Sequence, residues 1–346
     1  MGTVNAVAVL DCEDVAWFRD GPSLAAAARG AAAALARRIG LDAHRAAEVA
    51  LAVTEAATNV QRHADDGALL LRVLRDADQA AVEFLTVDSG PGMADVASAL
   101  ADGTSSGGTL GIGMGAVARL ADAFDVHSLP GRGTVMAAQF WNRDADGRAP
   151  ARMSAVSGVT RPISGELSCG DAWATRVLDA SALLVMVCDG LGHGPMAERA
   201  SAAAVQAFHA TPAHDPEGVV MAVHRALNGT RGGAVAVACV DMAAARVTYC
   251  GIGNISGFLI GHDTRKALLS APGIAGSQMR RLRTFEEGLP PGGALVMHSD
   301  GLTERWQPAA LPGLLQHAPA VMAGQLLREA GTRRDDAGVV VVKNMW

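Results

Sequence analysis

The 346-residue sequence predicts a mixed α/β (α+β) protein made of two domains, an α/β sandwich followed by a β-sandwich covered by helices. Long helical stretches alternate with strands in the first half, whereas short strands dominate from about residue 161 onward. A polar, loop-like segment separates the two patterns. We therefore expect one domain at residues 1–144, a linker at 145–160 and a second domain at 161–346.

The first half is predicted to form two layers, because its helices and mostly antiparallel strands follow one another in that order. Short apolar runs predict strands at about 4–10, 68–75, 80–87, 125–129 and 134–141. Helical periodicity predicts helices at about 23–39 and 43–64, with a third running from the glycine-rich segment 103–115 to about Phe124.

The second half is predicted to be a β-sandwich, because many short strands surround only a few helices. Its predicted strands lie at about 174–178, 182–188, 234–240, 246–251, 256–260, 294–298 and 338–342. Its two predicted helices lie at about 195–209 and 216–227.

Charge and composition argue against nucleic-acid and membrane partners. The net charge is −6, with 11 Arg against 18 Asp and Glu in residues 1–144 and 18 basic against 17 acidic residues thereafter, so neither half has a basic surface. The longest alanine-rich stretch, 24–39, is interrupted by arginines, which is typical of an amphipathic helix. The five cysteines lack zinc-type spacing, and we expect free thiols in a cytoplasmic protein.

Polar residues of the second predicted helix and of the loops after it form a candidate nucleotide site. Glu55 and Asn59 are four residues apart and therefore project from one helix face. An Asn oxygen is a good ligand for Mg²⁺ beside phosphate, and a nearby Glu can accept a proton from an attacking hydroxyl. Asp88, at a strand end, can accept a hydrogen bond from an amino group such as that of adenine. Glycines between 107 and 115 offer backbone N–H groups to phosphate.

Four strings in this half resemble the nucleotide-binding boxes of the GHKL ATPase superfamily. They are Glu55-Ala-Ala-Thr-Asn59, Asp88-Ser-Gly-Pro-Gly92, Gly111-Ile-Gly-Met-Gly115 and Gly131-Arg-Gly-Thr134. The short lid at 103–111 and the segment 118–125 are similar to the serine kinases of bacterial partner-switching and stressosome pathways. The resemblance implies phosphorylation of Ser or Thr on small STAS-domain proteins.

The same resemblance implies a role for each matching residue. Asn59 would hold Mg²⁺, Glu55 would be the general base, and Asp88 and Thr134 would bind the adenine of ATP. The glycines that would surround the phosphates include Gly90, Gly92, Gly108, Gly111 and Gly113. No His has the helical hairpin of a phosphoacceptor, which disfavours a sensor histidine kinase.

The second candidate site is a set of four aspartates, each beside Gly or another Asp and mostly at strand ends: Asp171, Asp189, Asp300 and Asp335. Four carboxylates from separate segments can hold two divalent ions about 3.5–4 Å apart, which activate a water for attack on phosphorus. No Ser/His/Asp or Cys/His constellation competes with this interpretation.

Several strings of this half resemble the protein phosphatase 2C (PPM) superfamily and its SpoIIE-like branch, which implies an αββα sandwich. They are Cys169-Gly-Asp171, Cys188-Asp189-Gly-Leu-Gly-His-Gly194, Gly251-Ile-Gly-Asn254, Ser299-Asp300-Gly301 and Asp335-Asp336. The resemblance implies two Mn²⁺ or Mg²⁺ ions bridged by Asp189, with the Gly190 carbonyl helping at one ion. Asp300 and Asp335 would complete the other ion, and Asp171 would act through water. His193 is expected to cap a helix rather than to act as an acid.

The sequence thus favours a bifunctional regulator, an ATP-dependent Ser/Thr kinase fused to a metal-dependent phosphoserine/threonine phosphatase. Its expected partners are STAS-domain antagonist or scaffold proteins, with a sigma-factor regulator as a further class. Two alternatives stay open. The first domain can bind a sigma factor or another partner without transferring phosphate, or ATP binding can only gate the phosphatase.

Overall fold

The protein consists of two compact units in a computed structural model, which describes residues 9–19, 21–76, 79–101, 113–143, 149 and 153–343. One unit comprises residues 10–154, and the other comprises Val9 and the described residues from 155 onward. In the described ranges, every helix falls short of the length or the apolar character that crossing a bilayer requires.

The first unit contains four helices and five strands within its described residues. The helices are α1 (Leu24–Arg38), α2 (Ala43–His63), α3 (Val96–Leu100) and α4 (Met114–Leu120). The strands are β1 (Asp11–Arg19), β2 (Ala68–Asp76), β3 (Gln79–Val87), β4 (Ala123–Ser128) and β5 (Thr134–Trp141).

The five strands form one antiparallel sheet in the order β1-β2-β3-β5-β4, and helices cover one of its faces. Alternate residues of β2, such as Leu69 and Leu71, point to that face because side chains alternate along a strand. They pack with Val49 and Val53 of α2, and all four side chains are fully buried. This contact fixes the rotation of α2 and turns its polar residues Glu55 and Asn59 away from the core.

Most predicted elements of this unit are confirmed, with two differences. The predicted edge strand at 4–10 lies almost wholly outside the described residues. The strand that pairs with β2 is Asp11–Arg19, an edge strand whose residues 11–15 alternate between exposed and half-buried. The predicted end of the third helix, at about Phe124, was wrong, because α4 ends at Leu120. Asp122 accepts a hydrogen bond from the backbone N–H of Trp141, which draws the chain into the sheet.

The second unit contains three α-helices and ten strands within its described residues. The strands are β6 (Val156–Arg161), β7 (Asp171–Val177), β8 (Ala182–Gly190), β9 (Gly233–Asp241), β10 (Arg246–Ile252), β11 (Ser256–Ile260), β12 (Arg265–Leu268), β13 (Thr284–Gly288), β14 (Ala294–His298) and β15 (Ala337–Lys343). The helices are α5 (Pro195–Ala210), α6 (Pro216–Ala226) and α7 (Pro319–Ala330).

These elements form an αββα sandwich. The two five-stranded sheets have the orders β13-β10-β9-β8-β7 and β12-β11-β14-β15-β6, and all their named pairings are antiparallel. Val185 and Val187 of β8 pack with Val340 of β15 between the sheets, whereas Leu184 and Met186 pack under α5 and α6. Both faces of β8 are buried, so its sequence is a continuous apolar run that ends at Asp189.

The structure contains elements here that the sequence analysis did not predict. Strand β6 begins at Val156, inside the segment 145–160 that was predicted as a linker. Strand β13 has a polar, alternately exposed pattern, and α7 is buried around nearly its whole circumference. Neither pattern has the periodic contrast between apolar and polar residues on which the prediction relied.

Candidate active sites

The first candidate site lies on the polar side of α2. The helix begins at Asp42, whose carboxylate accepts a hydrogen bond from the backbone N–H of Arg45 at 2.8 Å. Glu55 and Asn59 lie one turn apart and are half-buried. Among the described residues, neither side chain takes part in a hydrogen bond or ion pair, so both remain available to a ligand.

The Asp88 loop packs directly against the end of α2. A Cβ on Gly90 would lie 2.5 Å from the carbonyl oxygen of His63, and a Cβ on Gly92 would lie 2.0 Å from that of Leu129. Only glycine permits these approaches. The structure therefore brings the Asp88 loop beside the helix that carries Asn59, as the sequence analysis expected.

Asp88 is fixed by backbone hydrogen bonds. Its Oδ1 accepts from the N–H of Gly90 at 2.8 Å and from the N–H of Thr134 at 3.2 Å. The Thr134 hydroxyl lies 2.9 Å from that of Ser128. Asp88 and Thr134 thus lie in one network, at the end of β3 and the start of the neighbouring strand β5.

Only part of the predicted phosphate loop is described. Gly113 is the residue before α4, and α4 packs against α2. Gly108 and Gly111 lie outside the described residues, as does the whole segment 103–111 that was predicted as a lid. Their predicted contacts with phosphate stay predictions.

The second candidate site lies where the two sheets of the second unit end. Asp171 of β7 and Asp189 of β8 are directly opposite each other in the antiparallel pair, and the alternation along β8 places Asp189 on the face toward the other sheet. Asp300 follows β14, and Asp335 precedes β15, the neighbouring strand. The backbone N–H of Ser299 donates to the carbonyl of Gly338 at 2.9 Å, which keeps these two chain segments together.

The carboxylates of this site perturb one another. Burial, and then the charge of Asp189, raises the pKa of Asp171 well above its usual range. Burial, followed by the charges of Asp300 and Asp335, raises the pKa of Asp189 to about 7. Burial and then Asp335 also raise the pKa of Asp300. None of the four forms an ion pair with a basic side chain of the described residues, so their negative charge is not neutralised within the described chain.

Neutral groups orient two of these aspartates. The Ser299 hydroxyl donates to Oδ2 of Asp171 and accepts from the backbone N–H of Gly338 at 3.0 Å. Asn254 donates through its side-chain nitrogen to Oδ2 of Asp300 at 2.7 Å. These bonds hold the carboxylates without neutralising them.

Asp336 has a different function from its neighbour Asp335. Its two oxygens accept hydrogen bonds of 2.8 Å from the backbone N–H groups of Ile163 and Gly170, and its side chain is buried. Asp336 therefore holds both ends of the segment 163–170 against the site. The sequence analysis did not assign it a role, because its partners are distant in the chain.

Gly190 and His193 follow Asp189 on the same loop. A Cβ on Gly190 would lie 2.4 Å from the carbonyl oxygen of Ala197, so the start of α5 packs directly on this backbone. The expectation that His193 caps a helix is wrong. Gly194 precedes α5 without a side-chain cap, and His193 instead contacts Glu166, with Nδ1 and Oε1 2.7 Å apart.

The aspartates are close in the fold but are not a preformed metal centre. In the described ranges, no group of three or more His, Cys, Asp or Glu residues is arranged so that it can hold a metal ion. The predicted roles of Asp171, Asp189, Gly190, Asp300 and Asp335 as metal ligands therefore stay predictions.

The folds and sites together define an enzyme with an ATPase-type α/β sandwich and a phosphatase-type αββα sandwich. Residues 18–140 match the family described as Histidine kinase-like ATPase domain, and residues 179–344 match Stage II sporulation protein E (SpoIIE). These two ranges correspond to the two units of the structure.

Two relatives from Bacillus subtilis (strain 168) are named as a kinase and a phosphatase. Serine/threonine-protein kinase RsbT is 32% identical over 117 residues, which cover 34% of this chain and 88% of RsbT. Phosphoserine phosphatase RsbX is 25% identical over 140 residues, which cover 40% of this chain and 69% of RsbX. A chain from a solved structure of the bacterial stressosome is 29% identical with a TM-score of 0.50, covering 54% of this chain and 97% of that one.

The chain belongs to the RsbT-type, GHKL-like kinase family and carries a SpoIIE-like PPM phosphatase domain fused to it. This confirms the resemblance on which the sequence analysis relied.

One experiment distinguishes the roles of the adjacent residues Asp335 and Asp336. Asp336→Ala should remove the acceptors of two backbone N–H groups, one of them buried, and destabilise the segment 163–170 by about 1–3 kcal/mol for a buried group left unsatisfied. Amide hydrogen exchange of Ile163 and Gly170 should therefore accelerate. The matched Asp335→Ala variant should leave both amides protected, and equal acceleration in the two variants would contradict the assignment.

Proposed function

We propose that the chain both phosphorylates and dephosphorylates a STAS-domain protein in a bacterial partner-switching pathway. The observation that carries the proposal is the presence, on one polypeptide, of a nucleotide-type site around Asn59 and Asp88 and a carboxylate cluster around Asp189. One site suits phosphoryl transfer from ATP, and the other suits hydrolysis of a phosphate ester. The regulator would then set the phosphorylation level of its partner.

In the kinase half, we assign the side chains of α2 to the reacting end of ATP. Asn59 would hold Mg²⁺ against the phosphates, and Glu55, one turn away, would accept the proton of the attacking hydroxyl. Both side chains are half-buried without a partner among the described residues, which supports a ligand-binding role. Asp88 and Thr134 would bind adenine at the other end of the nucleotide, and Gly90, Gly92, Gly108, Gly111 and Gly113 would surround its phosphates.

In the phosphatase half, the chemistry of the donor set fits divalent cations. Burial and mutual repulsion raise the pKa values of Asp171, Asp189 and Asp300, and a bound cation would relieve that repulsion. Carboxylate and carbonyl oxygens are also the ligands that Mg²⁺ and Mn²⁺ prefer. We assign Asp189 to both ions, the Gly190 carbonyl to one, Asp300 and Asp335 to the other, and Asp171 to a contact through water.

Two such ions supply charge stabilisation for the phosphoryl group and activation of the attacking water. The residues of the chain orient this site. Ser299 holds Asp171, Asn254 holds Asp300, and β7 and β8 keep Asp171 opposite Asp189. Because the donors to Oδ2 of Asp171 and to Oδ2 of Asp300 are neutral, these contacts orient the carboxylates without competing with a cation for their charge.

The surface around the phosphatase site favours a protein substrate over a small ester. Three of the large apolar side chains exposed on the described chain lie on the segments that border this site: Leu167, Leu191 and Met196. Leu167 is fully exposed beside Glu166, and Leu191 lies between Gly190 and His193. Exposed apolar groups of this kind commonly mark protein contacts. We propose that they contact the phosphorylated partner.

We also propose that the two halves are separate domains, with the first at residues 1–144 and the connecting segment starting at 145. The C-terminal domain starts before 161, because β6 already belongs to its sheet. The cytoplasm is the proposed location, and all five cysteines are free thiols, as a reducing compartment would keep them.

Asn59→Ala should reduce phosphate transfer from ATP to a STAS-domain partner by about 100-fold or more, because phosphoryl transfer depends on positioning and charge neutralisation by the metal. Radiolabel transfer measures this. Thr58→Ala, on a different side of the same helix, is the matched control and should transfer normally. ATP binding without any transfer by the wild type would instead favour a binding module.

Asp189→Asn should lower the rate of hydrolysis of a phosphoserine peptide with Mn²⁺ by more than about 100-fold. Mutation of a residue that only supports a metal ligand already costs about 10–100-fold in metal affinity or activity, and loss of a ligand itself should cost more. Asp241→Asn is the matched control, because Asp241 lies at the opposite end of the β8–β9 pair. It should retain full activity. A chelator should stop the wild-type reaction, and hydrolysis that survives chelation would exclude the two-metal assignment.

A further inference from the structure

Four arginines on the surface of the second unit have no role in the proposals above. Residues 228–233 and 271–283 contain no Asp or Glu, and together they carry Arg231, Arg280, Arg281 and Arg283. All four residues are exposed, and within the described ranges none of their side chains makes a hydrogen bond or an ion pair. The near-zero net charge of this half of the sequence predicted no basic surface, because it averages over the whole domain. We call these four residues the arginine surface.

The two segments that carry these arginines pack against each other. Gly233 and Ala275 exchange backbone hydrogen bonds of 3.1 and 2.8 Å. The backbone N–H of Gly276 donates to Nδ1 of His224, in the last turn of α6, at 3.0 Å. A Cβ on Gly276 would lie 2.7 Å from the Cβ of Leu227, the residue that follows this helix. The two segments therefore form one continuous part of the surface.

The backbone around Arg281 and Arg283 is anchored to the unit. Leu282, which lies between them, is buried and packs with the core under α5 and α6. Thr284 follows directly, and it pairs with Cys250 at the start of β13. Four like charges on one anchored surface repel one another, so the stability of the fold does not account for the arrangement.

Arg231 contacts the loop that follows Asp189. The backbone N–H of Leu191 donates to the carbonyl of Gly232 at 3.0 Å, which continues the pairing of β8 and β9 beyond Asp189. A Cβ on Gly192 would lie 2.9 Å from Nη1 of Arg231. The missing side chain at Gly192 thus leaves room for the guanidinium group, which borders the phosphatase site.

The other three arginines lie at the same end of the sheet but further from the site. Asp189 pairs with Ala234 of β9, and the next residue, Val235, pairs with Ile252 at the end of β10. Strand β13 begins beside this end of β10, directly after Arg283. Strands β8 and β13 are three spacings of about 4.8 Å apart, which is roughly 15 Å along the sheet. A single phosphate group cannot contact both ends of the arginine surface, whereas a protein can.

We propose that the arginine surface binds acidic side chains of the phosphorylated partner, away from the phosphoserine itself. This inference rests on the proposed phosphatase function. A guanidinium group pairs with a carboxylate through two parallel hydrogen bonds, and exposed charges of one sign attract an oppositely charged partner before it docks. Such contacts act mainly on association, so they should lower KM without changing the chemical step.

The test separates the docking contacts from the phosphatase chemistry. The full chain, without ATP and with saturating Mn²⁺, is assayed on two phosphoserine peptides and on p-nitrophenyl phosphate. One peptide carries glutamates at the fourth to seventh positions on each side of the phosphoserine, and the other carries glutamines there. An extended chain advances about 3.3–3.6 Å per residue, so these positions can reach the far end of the arginine surface.

Two triple variants with the same change in net charge are compared. The test variant replaces the distant part of the arginine surface by Arg280→Gln, Arg281→Gln and Arg283→Gln. The control variant changes three exposed arginines of α1, in the first unit: Arg29→Gln, Arg37→Gln and Arg38→Gln. A single variant, Arg231→Gln, tests the end that borders the phosphatase site.

The wild type should have a KM about tenfold lower for the glutamate peptide than for the glutamine peptide. The test variant should lose this preference, with kcat and the rate on p-nitrophenyl phosphate changed by less than about twofold. Arg231→Gln should lose part of the preference, and the control variant should keep all of it. Raising NaCl from about 0.05 to 0.5 M should abolish the preference of the wild type, because salt screens exposed charges.

Equal KM values of the wild type for the two peptides would overturn the inference, as would a preference that the test variant keeps or the control variant loses. Binding of an RNA oligonucleotide that only the test variant loses, without a peptide preference, would assign the surface to nucleic acid instead. Each of these results leaves the phosphatase proposal intact. Failure of the wild type to hydrolyse any of the three substrates would overturn that proposal, and the inference with it.

Discussion

Repulsion among buried carboxylates is the constraint on which the phosphatase site depends. Antiparallel pairing places Asp171 directly opposite Asp189, and Asp300 follows β14 at the end of the other sheet. Burial and mutual repulsion raise the pKa values of Asp171, Asp189 and Asp300, so this arrangement disfavours their charged forms. The apolar core between the sheets supplies the stability that offsets it, and Ser299 and Asn254 hold the carboxylates without supplying positive charge. A fold that keeps such groups together is suited to binding cations.

The same local arrangement occurs in the two halves, at the two sites to which we assign opposite chemistry. In each, a buried strand ends in an aspartate that glycines follow, at Asp88 and at Asp189. The two aspartates differ in the groups that surround their carboxylates. Backbone N–H groups of Gly90 and Thr134 satisfy one oxygen of Asp88, which suits a directional contact with a base. Asp189 instead faces other carboxylates, which suits metal ions. We therefore propose that the neighbouring segments, rather than the motif, determine which ligand each aspartate binds.

Helical periodicity predicted α2, and an uninterrupted apolar run predicted β8, and with them the positions of Asn59 and Asp189 on these elements. Neither signal predicted β13 or α7, because β13 is a polar edge strand and α7 is buried around nearly its whole circumference. Nor could it find Asp336 and Glu166. Asp336 bonds residues 173 and 166 positions away, and Glu166 meets His193 only when two loops converge. Such residues have no local signature, since their roles arise from tertiary contacts.

We propose that one chain adds phosphate to a partner and removes it from the same residue. The direct measurement is the steady-state phosphorylation of a STAS-domain partner with ATP and Mn²⁺, in the presence of the wild type, Asn59→Ala or Asp189→Asn. We expect full phosphorylation with Asp189→Asn, none with Asn59→Ala and an intermediate level with the wild type. A wild-type level equal to that of Asp189→Asn, with the phosphoprotein left untouched, would contradict it.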